Sequence, residues 1–168
     1  MKKKLILGAI LILLSILDNS LMPFIAIKGV YPSLLFVFIV SYSIIKDKWE
    51  AIWIGIFAGM LQDLYFANVF GINSLINMFV CLIAAEIGTN IIKSKILIPV
   101  ISSFVLSIFK GIFIWAIAYF LKINISYSVI AFNSMYNGVI TIIVYKLVYN
   151  LCRKNIWIKS GNSKGMVI

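Results

Sequence analysis

The sequence contains no histidine, only two cysteines and only five acidic residues. Histidine is the commonest general base and the commonest metal ligand, so its absence removes the usual core of a hydrolase or of a metal centre. Cys81 lies in an apolar run and Cys152 lies near the basic C-terminus, and this placement forms neither a disulfide framework nor a metal motif nor a redox pair. No nucleophilic serine has a nearby base, and no glycine-rich loop is of the phosphate-binding type. The sequence therefore predicts a protein that is not an enzyme and that holds no metal and no cofactor.

Apolar residues make up 63% of the 168 residues, and the mean hydropathy is +1.10. A soluble domain is roughly 45–50% apolar, so an ordinary soluble fold is excluded. In a soluble protein the net charge of +10 would suggest a nucleic-acid partner. Here the charges stand mainly at the ends of apolar runs, where they control membrane topology instead, and no nucleic-acid partner is predicted.

Six apolar segments predict an all-α integral membrane protein with six transmembrane helices. The first begins directly after Lys4 and has no small-residue cleavage site, so it is predicted to be a retained helix rather than a signal peptide. We predict one six-helix membrane domain over residues 1–150 and a basic cytoplasmic tail over residues 151–168. The tail is interpreted first as an orientation signal with a disordered end, and contact with anionic lipid headgroups is the alternative. The segments are Leu5–Ile27, Val30–Ile45, Ala51–Phe66, Gly71–Ile92, Ile96–Leu121 and Val129–Val148.

The distribution of basic residues predicts that both termini are cytoplasmic. Twelve of the 15 lysines and arginines flank the N-terminus, the second and fourth segments and the C-terminus, whereas only Lys28 and Lys122 lie on the opposite side. By the positive-inside rule the basic side is cytoplasmic, and two inside termini require an even number of spans. The sequence thus predicts a multi-pass protein of the bacterial cytoplasmic membrane.

The third segment combines a small-residue face with a carboxyl group. Gly55, Gly59, Gln62 and Asp63 are spaced at roughly one-turn intervals and share one face of a helix. Two glycines let a neighbouring helix approach closely, and the amide and the acid offer polar contacts that lipid cannot supply. This face is the strongest candidate site, although a plain packing role explains the glycines alone.

Four ionisable residues lie inside apolar segments: Asp18, Asp63, Glu86 and Lys110. At a rise of ~1.5 Å per residue, the two aspartates and Lys110 each lie roughly 20 Å from the cytoplasmic end of their segment. We therefore predict an intramembrane polar cluster in which Lys110 pairs with Asp63, Asp18 or both. The alternative is that the aspartates lie near the outer boundary and are solvated. Glu86 reaches the cytoplasmic interface or faces a partner protein.

The run Gly55–Leu75 resembles the hallmark of the bacterial rod shape-determining protein MreD family, in which a glycine-spaced helix ends in an aspartate and a later glycine, here Gly71, opens the next helix. Tyr31-Pro32-Ser33 is also similar to the family, although many members have an aspartate where Ser33 stands. Asn137 resembles a family asparagine, but the proline that often precedes it is absent.

This resemblance implies a non-catalytic membrane scaffold of the cell-elongation machinery, which maintains rod shape and directs lateral peptidoglycan synthesis. The partners that it implies are MreC, the MreB filaments, and RodA with its transpeptidase partner.

A transport function is the competing prediction. Proteins of this kind resemble the six-helix substrate-binding subunits of energy-coupling-factor vitamin transporters, in which outer polar residues bind a vitamin. Those subunits usually carry spaced alanines on the first helix, whereas the first segment here offers Gly8, Ala9 and Ser15. The scaffold is therefore the favoured function.

Overall fold

The computed structural model describes residues 2–26, 30–65, 70–90, 97–120, 122 and 127–153, and these residues form an all-helical protein. One 3₁₀ turn, Met22–Ile25, follows the first α-helix. The six α-helices are α1 (Lys2–Ser20), α2 (Leu34–Ile45), α3 (Lys48–Tyr65), α4 (Ile72–Thr89), α5 (Leu97–Phe120) and α6 (Tyr127–Arg153). Each of the six predicted apolar segments overlaps one of these helices. Residues 154–168, most of the predicted basic tail, lie outside the described residues.

The first two predicted segments extend well beyond the helices that they contain, and proline explains both differences. The first segment was expected to continue to Ile27, but α1 ends at Ser20 and the chain turns through Met22–Ile25, which has proline in its first turn. The second was expected to begin at Val30, but α2 starts only after Pro32. Proline disfavours helical backbone in the residue before it, so an apolar run does not become one helix across it.

Within the described residues, three helices are long and apolar enough to cross a membrane: Ile72–Thr89, Leu97–Phe120 and Ile130–Cys152. Helix α2 is apolar but has 12 residues, which at ~1.5 Å per residue is about 18 Å, short of a hydrocarbon core of about 30 Å. Helix α1 carries three lysines at one end and α3 carries one, and each helix has an aspartate near its other end. The six-span count and the orientation of the termini stay predictions.

Helix α2 is the central element of the core. Every residue from Leu35 to Ile44 is buried, and α2 contacts all five of the other α-helices. A helix that is apolar all round belongs in the interior of a bundle, which is where α2 lies. One hydrophobic cluster joins α2 to α1, α3 and α6 around Leu35 and Tyr42, and a second joins it to α4, α5 and α6 around Phe36 and Tyr145.

Candidate functional site

The predicted small-residue face of α3 packs directly on α4. A methyl group built on Gly59 would overlap the Cα of Ser74 and would stand 2.5 Å from its backbone N. A methyl group on Gly55 would stand 2.7 Å from the backbone O of Asn77. Both glycines are therefore required by the close approach of the two backbones, and the Ser74 hydroxyl uses that proximity to donate to the carbonyl of Ile56 at 3.1 Å.

Asp63 ends this face and caps the next helix. Its side chain is 1% exposed, and its carboxylate accepts from the backbone N–H groups of Gly71, Asn73 and Ser74 at 3.0, 3.0 and 3.1 Å. The Asn73 amide donates to it as well, at 3.0 Å. Gly71 is the N-cap of α4 and has no side chain with which to accept these bonds. Asp63 therefore supplies, from the preceding helix, the acceptor that an N-cap side chain normally provides.

Gly71 is needed for its backbone conformation, since its φ is +99° and a methyl group added there would meet no atom within 4 Å. Replacing Gly71 by alanine is expected to cost about 1–2 kcal/mol, because an L-residue is strained in the left-handed region. Asn is tolerated in this region better than other residues, so Gly71→Asn is expected to cost less than Gly71→Val. Thermal unfolding of the two purified variants measures the difference, and equal midpoints would contradict this explanation.

Asp18 caps α2 in the same way that Asp63 caps α4. Its carboxylate accepts from the backbone N–H groups of Leu34 and Leu35 at 2.7 and 3.1 Å and from the Ser33 hydroxyl at 2.8 Å. The Ser33 hydroxyl in turn accepts from the N–H of Phe36 at 3.1 Å. The first N–H groups of a helix have no acceptor within it, so these bonds satisfy groups that α2 cannot satisfy itself.

Asn137 completes the N-terminus of α2 from the last helix. Its side-chain oxygen accepts from the N–H of Ser33 at 2.9 Å, and its amide donates to Ser107 and Asn133, both at 2.8 Å. The predicted site residue Asn137 thus joins α2, α5 and α6. With this bond, all the N–H groups from Ser33 to Phe36 have acceptors.

Lys110 reaches from α5 towards amide oxygens rather than towards acids. Its ammonium donates to Gln62 at 2.7 Å and to Asn77 at 2.9 Å, and it lies 5.2 Å from the centre of the Phe36 ring. Gln62 also accepts from the Asn77 amide at 2.9 Å. This contact gives the predicted site residue Gln62 a definite role, since it connects α3 to both α4 and α5.

The predicted cluster of Asp18, Asp63 and Lys110 is therefore not built on direct ion pairs. Among the described residues, which include all five acids, no carboxylate oxygen lies within 4.0 Å of the Lys110 ammonium. Asp18 and Lys110 line one cleft, and Asp63 reaches it only through Asn73. Glu86 lies apart from this group and pairs with Lys48 across α3 and α4, and both side chains are about half exposed.

Several residues of this site were missed by the sequence analysis. Gly88 packs against the end of α2, where a methyl group would overlap the carbonyl oxygen of Ile44. Asn73 and Asn77 carry contacts to Asp63 and Lys110 that no local pattern indicates. Only their position in the sequence could have indicated this role. Each lies in one of the first two turns of an apolar helix, where an asparagine side chain needs polar partners when no water is present.

These polar groups surround a cleft of about 390 Å³. It is lined by residues near the ends of α1 and α3, the beginnings of α2, α4 and α6, and the middle of α5. The polar members are Ser15, Asp18, Asn19, Tyr31, Ser33, Gln62, Asn73, Ser107, Lys110, Asn133 and Asn137. Among the residues described by the structure, no group of three or more acids and cysteines lies together in a way that could hold a metal ion.

The fold and the site together define a helical membrane protein whose polar centre joins helix ends to one another. The family model for the rod shape-determining protein MreD matches residues 2–155. The chain belongs to this family, whose members take part in the determination of rod shape. Neither the curated proteins nor the solved structures compared with the chain include a significant match.

Proposed function

We propose that the chain is a non-catalytic scaffold of the cell-elongation machinery, with six spans in the bacterial cytoplasmic membrane. In this role it holds MreC, the MreB filaments, and RodA with its transpeptidase partner near one another, so that lateral peptidoglycan synthesis maintains the rod. The family supports a role in cell shape. The six spans, the cytoplasmic termini and the named partners are the finer parts of the proposal.

One structural observation supports a non-catalytic function: the carboxylates of Asp18 and Asp63 accept the hydrogen bonds that cap two helices. Asp63 accepts four hydrogen bonds from the start of α4, and Asp18 accepts three from the start of α2. A general acid or base must be within reach of a substrate proton and be free to exchange it. Carboxylates held in this way fix the relative positions of helices, which is what a scaffold requires.

Depletion of the protein in the bacterium that encodes it is expected to produce rounded, swollen cells, because the elongation machinery loses its membrane scaffold. Expression of the wild-type chain is expected to restore rods, whereas a Gly59→Val variant that disturbs the contact between α3 and α4 is not. Cell shape by microscopy is the measurement, and MreC is expected to co-purify with the wild-type chain. Rods of normal shape after depletion would contradict the proposal.

The cleft gives specific support to one second candidate, a substrate-binding subunit of an energy-coupling-factor transporter. Its lining of about eleven polar residues beside apolar ones is of the kind that binds small solutes. Co-purification distinguishes the two functions, since recovery with a pair of ATPases and a bound vitamin would support the transporter subunit and overturn the scaffold.

A further inference from the structure

The cleft has the size and the mixed lining of a ligand site. Its volume of about 390 Å³ falls within the range of about 300–1,000 Å³ that is typical of small-molecule pockets. Apolar side chains such as Leu35, Ile114 and Ile130 make up much of its wall, and the polar residues of the wall include Lys110. A ligand that fits this lining has an apolar body and one polar group.

Two ionisable residues line the cleft, Lys110 and Asp18, and the ammonium group of Lys110 is the one with a hydrogen-bond donor to spare. Lys110 keeps part of its surface accessible and lines the cleft, although most of the side chain is enclosed by protein. An ammonium group has three donors, and Gln62 and Asn77 take two of them. In the part of the chain that the structure describes, the ammonium group has no third hydrogen-bond acceptor, and no carboxylate forms an ion pair with it.

The acid in the same cleft, Asp18, makes no direct ion pair with Lys110. The carboxylate of Asp18 is directed at the first N–H groups of α2, where it complements the positive end of the helix. A second unused donor lies beside it: the Ser15 hydroxyl lines the cleft, is 2% exposed and has no hydrogen-bond partner among the described residues. Buried hydroxyl groups are normally satisfied, so an unpaired one in a cavity wall points to a missing acceptor.

We propose that this cleft binds an amphiphile through an anionic oxygen group, either phosphate or carboxylate. The ammonium group of Lys110 neutralises the anionic group, the Ser15 hydroxyl donates a hydrogen bond to the ligand, and the apolar wall accommodates its body. This inference goes beyond the scaffold function, which needs no ligand. Binding to the purified chain is measured separately from cell shape, so either proposal can fail alone.

The test measures thermal unfolding of the purified full chain in neutral detergent with four anionic probes added. Phosphatidylglycerol and oleate are amphiphiles, and inorganic phosphate and acetate carry the same groups without the apolar body. A ligand that binds only the folded state raises the unfolding midpoint as its concentration rises. We expect phosphatidylglycerol or oleate to raise the midpoint. Phosphatidylcholine, whose choline ammonium group neutralises its own phosphate, is expected to leave the midpoint unchanged. Stabilisation by phosphate or acetate alone would overturn the amphiphile and assign the cleft to a small anion.

Two variants and one control make the assignment specific to the cleft. Lys110→Met is expected to weaken binding of the probe at least about tenfold, as hydrogen bonds to charged groups contribute more than neutral ones. Ser15→Ala removes a hydroxyl that has no protein partner, so it is expected to fold normally and to weaken binding about two- to fivefold. Lys4→Met removes one positive charge from the opposite end of α1 and is expected to bind as the wild type does. Equal binding by the wild type and Ser15→Ala, or no stabilisation by any anionic probe, would refute the proposal.

Discussion

Replacing Asp63 by alanine is expected to destabilise the protein by about 3–5 kcal/mol, because each buried polar group left without a partner costs about 1–3 kcal/mol. Three backbone N–H groups at the start of α4 and the amide of Asn73 lose their acceptor together. For a chain of this size about 1 kcal/mol corresponds to about 2–4 °C, so the midpoint of thermal unfolding should fall by roughly 6–20 °C. Tryptophan fluorescence of the purified protein in detergent measures it.

Two further variants separate capping from the loss of a charge. Asp63→Asn keeps one acceptor oxygen but turns an NH₂ group towards donors, so we expect a loss of stability between those of the wild type and Asp63→Ala. Glu86→Ala removes an acid from an exposed ion pair, which typically contributes no more than about 1 kcal/mol. If Asp63→Ala and Glu86→Ala unfold at the same temperature, the cap on α4 does not stabilise the fold.

The same capping arrangement occurs twice in the structure, although no sequence pattern indicated it. Asp18 lies two residues before the end of α1 and caps α2, and Asp63 lies two residues before the end of α3 and caps α4. Each acid therefore joins a helix to its successor across a loop. In the α1–α2 pair the following helix has a serine at its N-cap, whereas in the α3–α4 pair it has a glycine.

Patterns along the chain predicted the helices well, because apolar runs bounded by lysines determine where a membrane helix can lie. The structure places the face that carries Gly55 and Gly59 against α4, and helical spacing alone decides which residues share that face. These features depend on the distance along the chain and on one helical period. They need no knowledge of how the helices are arranged around one another.

The partners of the charged residues could not be predicted from the same information. Depth along the membrane normal placed Asp18, Asp63 and Lys110 at one level, but depth says nothing about the rotation of each helix about its own axis. The structure turns Lys110 towards the amides of Gln62 and Asn77 and turns each aspartate towards a helix N-terminus. A prediction that pairs charged side chains with one another ignores backbone N–H groups. In this structure those N–H groups, rather than Lys110, are the donors to Asp18 and Asp63.

Replacing Gly59 by alanine is expected to destabilise the protein by about 3 kcal/mol, at the upper end of the range of about 1–3 kcal/mol for overpacking a close contact. The added methyl group would overlap the backbone of Ser74, which cannot move without displacing the start of α4 and the bonds to Asp63. We expect the midpoint of thermal unfolding to fall by roughly 6–12 °C, at about 2–4 °C per kcal/mol. Cells that depend on this variant should also lose their rod shape.

The other helical glycines supply a graded set of controls for this prediction. Gly88→Ala meets backbone atoms of Ile44 and is expected to match Gly59→Ala, while Gly111→Ala meets only the side chain of Ile130, which can change its rotamer. Gly8 has no atom within 4 Å of an added methyl group, and alanine favours a helix over glycine by about 1 kcal/mol, so Gly8→Ala should leave the protein as stable as before or more so. A series in which Gly59→Ala unfolds at the temperature of Gly8→Ala would show that the α3–α4 contact can relax, and the scaffold would then not depend on it.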